Sequence, residues 1–130
     1  MGIDHSESTG AEVLVVTDDP IVREAARFGF SHGTRVVFAL DARQALEAIQ
    51  DHKPSVAIVD LQTGSAGGFG LIRDVRATSA LADLPVLLLV ERKQDEWLAK
   101  QAGATAIGCK PIGAGDLVRV TLALLSSGTI

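Results

Sequence analysis

"SVAIVDLQTGSAGGFG", residues 55–70, joins a short apolar run to an aspartate and then to a glycine-rich stretch. Val56, Ala57, Ile58 and Val59 follow one another without polar alternation, the pattern of a strand covered on both faces, as in a parallel sheet. The run stops at Asp60. Gly64, Gly67, Gly68 and Gly70 then give the backbone unusual freedom before Leu71, Ile72 and Val75 take up helical spacing. An aspartate at a strand end is often only a turn former, so Asp60 needs neighbours before it is given a chemical role.

The same strand-then-helix unit recurs on both sides. "VLVV" (13–16) leads through Pro20 into a segment with apolar residues at 21, 22, 25 and 28. "RVVF" (35–38) leads to Asp41, a good N-cap, and then to Ala42, Ala45, Leu46 and Ile49. "VLLLV" (86–90) precedes a charged helix from about Asp95 to Gln101. "ATAIGC" (104–109) passes through Lys110-Pro111 to a helix marked by Leu117, Val120, Thr121 and Leu124. Five such units without a linker predict an α/β domain with one five-stranded parallel sheet, doubly wound. Residues 1–10 read as a flexible leader, 11–126 as the domain and 127–130 as a tail.

Bulk properties narrow the function. The 130 residues suffice for one core, and 47% apolar with 22% charged residues is ordinary for a folded, soluble domain. A net charge of −4 gives no basic footprint, so a nucleic-acid partner is not expected. The longest apolar run, 84–90, contains Pro85 and is too short to cross a membrane. The polar N-terminus lacks a secretory core, and Met1-Gly2 with Ser6 fits only the bare myristoylation template. Cys109, the only cysteine, excludes a disulfide framework within the chain, fits a cytoplasmic location and reads as a packed small residue. His5, His32 and His52 show no ligand spacing.

In open parallel sheets, ligands sit beyond the carboxyl ends of the strands. Those ends carry Thr17-Asp18-Asp19, Asp60, Val90-Glu91 and Cys109-Lys110. Carboxylates gathered on one rim suit Mg²⁺, a carboxylate there can act as a nucleophile, and a lysine can neutralise phosphoryl oxygens. Asp19 before Pro20 reads as a helix cap. The glycine stretch matches neither a dinucleotide fingerprint nor a P-loop. A flavin-type cofactor lacks tyrosines to stack on, since there are none.

From Ala11 to Leu125, "VLVVTDDPIVRE", "SVAIVDLQTGSAGGFGLIRDVR", "LPVLLLVE" and above all "AGATAIGCKPI" resemble a response-regulator receiver domain of two-component signalling. The resemblance implies a flavodoxin-like (βα)5 fold of strand order 2-1-3-4-5. It further implies phosphorylation of Asp60 by a histidine kinase or phosphotransfer protein, with no enzymatic turnover beyond self-phosphorylation and autodephosphorylation. Mg²⁺ would be held by Asp18, Asp60 and the backbone carbonyl of Gln62. Lys110 would pair with the phosphoryl group, across a cis Lys110-Pro111 bond. Partners would dock on the face of the fourth helix, fifth strand and fifth helix, where Trp97 lies on the fourth.

The family pattern is broken at Thr17, where it has an acid, at Val90, where it has a hydroxyl, and at Ile107, where it has an aromatic switch. Glu91 and Gly64 also depart, from a small residue and a proline. A charge-assisted hydrogen bond from the missing hydroxyl is worth ~1.5–3 kcal/mol. That is a large share of the about 5.5 kcal/mol needed to drive a two-state switch from 1:99 to 99:1. The expectation is a stand-alone, atypical receiver that accepts phosphate but switches weakly or by another route. The alternative is a pseudo-receiver, an interaction module independent of phosphate. Two apolar stripes on the last helix, 117, 120, 121, 124 and 118, 122, 125, suggest a partner or self-association.

Overall fold

Short apolar runs that bury both faces pack side by side, with helices above and below. The computed structural model describes residues 11–31, 33–61 and 67–127. In order these form β1 (Glu12–Val16), α1 (Pro20–Gly29), β2 (Arg35–Ala39), α2 (Ala42–Asp51), β3 (Val56–Asp60) and α3 (Gly67–Ala77). A single 3₁₀ turn (Ser79–Leu81) precedes β4 (Val86–Val90), α4 (Asp95–Ala102), β5 (Ala106–Cys109) and α5 (Ala114–Ser127). The strands lie in the order β2-β1-β3-β4-β5, all parallel. This is the flavodoxin-like topology that the resemblance implied, and α5 runs one residue into the expected tail.

Alternation along the strands sorts the core into two layers. Leu14, Val16, Ala57, Val59, Leu88 and Val90 face α2, α3 and α4, against Ala45, Ile49, Leu71, Ile72, Val75 and Ala99. Val13, Val15, Ile58, Leu87 and Leu89 face α1 and α5, against Val22, Ala26, Leu117 and Leu124.

The helices start where their caps place them. Asp19 Oδ1 accepts from the Ile21 amide at 2.9 Å, ahead of Pro20 at the first helical position. Asp41 accepts from the Gln44 amide at 2.9 Å, and the Gln44 side chain accepts from the Leu40 amide at 2.8 Å, a variant of the reciprocal capping box.

Arg76, at the end of α3, ties three segments together. Its guanidinium donates to the carbonyls of Ala82, Leu84 and Gly103 and to Thr105 Oγ1, at 2.7–3.1 Å. Gly103 ends α4 in the left-handed region, at φ 106°.

One expectation, the packing of Cys109, needs correction, and two helices distribute their apolar residues unevenly. In α1 the apolar residues at 21 and 28 do not face the core: Ile21 is 71% and Phe28 73% exposed. Gly29 approaches α5 so closely that a Cβ there would lie 2.9 Å from Val118 Cγ2, so the small side of α1 is the one turned inward. Cys109 is exposed rather than packed, because it closes β5, an edge strand paired only with β4. The second stripe of α5 is split: Val118 and Leu125 pack partly, whereas Leu122 is 46% exposed.

Candidate functional site

The carboxyl ends of β1, β3, β4 and β5 meet at one rim because parallel strands all end on the same side. Asp60 closes β3 with its Cα opposite Leu89 of β4, and it is 1% exposed. A buried carboxylate needs a counter-charge and donors. Lys110 supplies the first: its backbone amide is fixed to the Val90 carbonyl at 2.7 Å, and its Nζ reaches Asp60 Oδ2 at 2.9 Å. Thr17 supplies a second donor, its Oγ1 donating to the same Asp60 Oδ2 at 2.8 Å.

Asp19 completes the cluster. Lys110 Nζ lies 3.1 Å from Asp19 Oδ2, while the Asp19 amide donates to Thr17 Oγ1 at 3.0 Å. Glu91 stands at the edge, 3.9 Å from the same ammonium. The amide of Ile21 first, and Lys110 second, hold the Asp19 carboxyl below the usual carboxylate value. Burial alone would lower the Lys110 ammonium, but hydrogen bonds and charge from Asp60 and Asp19 outweigh it and leave the lysine above its ordinary value. Beside this cluster opens a cleft of ≈ 420 Å³, walled by Ile21, Val22, Pro111 and Ile112 and edged by Asp19, Glu91 and Lys110.

Sequence reasoning thus placed Asp60 and Lys110 together, and the Lys110-Pro111 bond is cis. The two acids after β1 are placed differently. Asp18 is exposed and makes no hydrogen bond or ion pair with the described residues, whereas Asp19 both caps α1 and pairs with Lys110. The N-cap reading of Asp19 used one carboxylate oxygen; the second was legible only through the approach of β5. Thr17 is fully buried and bonded. Val90, also fully buried, and the half-buried Ile107 belong to the apolar layer under α2–α4. Gln62 and Gly64 lie outside the described residues.

For Mg²⁺ the donor chemistry fits. The hard carboxylate oxygens of Asp60 and Asp18 suit a cation that binds through one or two carboxylates and keeps several waters. Among the described residues there is no grouping of three acidic, histidine or cysteine side chains that would enclose a metal.

The family described as the response regulator receiver domain matches residues 13–121. Response regulator MprA of Mycolicibacterium vanbaalenii is 33% identical over 120 residues, 90% of this chain and 51% of that protein. Transcriptional regulatory protein CseB of Streptomyces avermitilis is 32% identical over 116 residues, 87% of this chain and 48% of that protein. The chain spans about half the length of these two relatives. Among solved structures, the chemotaxis response regulator CheY4 of Vibrio cholerae superposes with a TM-score of 0.81 at 28% identity, covering 88% of this chain and 98% of that one.

Proposed function

Since the chain belongs to the response regulator receiver family of two-component signalling, we propose that it accepts a phosphoryl group on Asp60 from a histidine kinase or phosphotransfer protein. The observation that carries this reading is the pairing of a buried Asp60 with Lys110 at 2.9 Å on the rim where parallel sheets bind ligands. A carboxylate held there is a nucleophile, and the lysine beside it is a counter-charge for phosphoryl oxygens. Mg²⁺, held by Asp60 and Asp18 with the backbone carbonyl of Gln62, would supply further charge neutralisation during transfer. The chain's own part is to orient Asp60 through Thr17 and Lys110, and to keep water from its inner side by the apolar strands around it.

Two features support a weakened or redirected switch. Val90 offers no hydroxyl to a phosphoryl group, and Ile107 has no aromatic ring to move in response. The same features support the second reading, a pseudo-receiver that binds partners without phosphate. In either case the exposed Trp97 and Leu98 of α4 and Leu122 of α5 offer apolar contact area to a downstream protein or to a second copy. Among the described residues no helix is long and apolar enough to cross a membrane. We place the chain in the cytoplasm, acting through protein contacts rather than nucleic acid.

Intact-mass analysis after incubation with acetyl phosphate, with and without Mg²⁺, tests the proposal. A Mg²⁺-dependent phosphoryl adduct, absent from Asp60→Asn, is the expected result. No adduct from acetyl phosphate or from a cognate kinase would select the pseudo-receiver.

A further inference from the structure

Thr17 replaces an acid of the family pattern, yet its position is not vacant of chemistry. Its hydroxyl donates to Asp60 Oδ2 at 2.8 Å and accepts from the Asp19 amide at 3.0 Å. Lys110 closes the circuit from the other side, bonding Asp60 Oδ2 at 2.9 Å and Asp19 Oδ2 at 3.1 Å. Asp19 Oδ1 in turn caps α1 through the Ile21 amide. The first turn of α1 is therefore tied to the Asp60 carboxylate twice, through a neutral alcohol and through a cation. Val90 and Ile107, on the β4–β5 side, have no polar side-chain atom with which to make a comparable link.

We propose that Thr17 is a positioning residue that orients Asp60 and transmits the state of its carboxylate to the first turn of α1. The inference rests on the reading of Asp60 as the phosphoacceptor. In the reaction with acetyl phosphate, an Asp60 oxygen forms a bond to phosphorus. The bond from phosphorus to the acetyl oxygen breaks, and acetate leaves with that electron pair, so no proton need be moved. The product is an acyl phosphate, whose carbonyl oxygen is neutral and a weaker acceptor than a carboxylate. The bond from Thr17 weakens, and Lys110 gains phosphoryl oxygens as competing partners. Both ties to Asp19 change at once, and Ile21, 71% exposed two residues further on, carries that change to the surface.

The test follows the backbone amide signals of Asp19 and Ile21 by NMR in the full chain. Thr17, Thr17→Val and Thr17→Ser proteins are compared, each with Asp60 and with Asp60→Asn. Asp60→Asn is expected to move both signals when Thr17 is present, and to move them at least about threefold less in Thr17→Val, with Thr17→Ser restoring the response. Thr17→Ala provides a second hydroxyl-free variant should valine distort the strand end. Equal displacement with and without the hydroxyl overturns the proposal. This cycle needs no phosphodonor, so it stands apart from the phosphoacceptor reading. A parallel series with acetyl phosphate and Mg²⁺, monitored by intact mass, should show the same dependence on Thr17. An adduct whose signals shift equally in Thr17→Val would refute the Thr17 link alone, whereas no adduct from acetyl phosphate or from a cognate kinase, with an intact Asn cycle, would refute the phosphoacceptor reading alone.

Discussion

One ammonium, that of Lys110, lies within 4 Å of three carboxylates: Asp60 and Asp19 in hydrogen-bonding range, Glu91 at 3.9 Å. Removing one partner of a buried ion pair leaves the other uncompensated, which typically costs 3–5 kcal/mol. Lys110→Met should therefore lower stability by about 3 kcal/mol in urea unfolding, and adding Asp60→Asn should recover much of the loss. Full additivity of the two changes would show that the pair carries no coupling. The pH dependence has a definite sign at each end. Asp19 is held below its ordinary value of 3.8, so its contribution is present above that pH and is lost as pH falls through its lowered folded value. Lys110 is held above 10.5, so its contribution is present below that pH and is lost as pH rises through its raised folded value. Asp19→Asn should accordingly flatten the acid limb of a plot of unfolding midpoint against pH, and should weaken without abolishing the alkaline limb, where Asp60 still holds the lysine.

At the level of elements, α3 and the ends of β4 and β5 depend on one side chain. Arg76 satisfies three carbonyls and a hydroxyl that lie in separate loops, and its planar fork reaches them simultaneously. Lysine offers a single point of donation on a flexible stem. Arg76→Lys should thus cost about 1–3 kcal/mol in chemical denaturation, because it leaves carbonyls without donors. A variant as stable as the parent would mean that water replaces the guanidinium without loss. Nothing in the spacing of α3 marks this residue, since an arginine in a last helical turn normally serves only the helix end.

Across the whole molecule, the legible part of the sequence was the part decided by burial. "VAIV" and "VLLLV" read as strands because both faces are covered, and Asp41 read as a cap because capping needs only its own helix. Apart from Asp60 and Lys110, which the common rim of strand ends brought together, side chains whose role depends on a distant segment were not legible. Ile21 and Phe28 share the apolar spacing of α1 yet turn outward, because α5 approaches α1 through Gly29, and the second oxygen of Asp19 finds a lysine 91 positions away. Both apolar layers share the sheet, so neither can be lost without the other. Leu88→Ala, in one layer, and Leu117→Ala, in the other, should each cost about 2–5 kcal/mol and reduce amide-exchange protection on both faces. Protection lost from one face alone would show two independent cores.

Cys109 adds a practical consequence. It is the only thiol in the chain, it is exposed, and it adjoins Lys110. A maleimide dye or nitroxide attached there would sit one residue from the ammonium that Asp60 and Asp19 share, with no engineered cysteine and no competing attachment point. The native chain thus carries its own handle for a spectroscopic reporter, and the arrival of a phosphoryl group could be followed in real time as a change in emission or probe mobility.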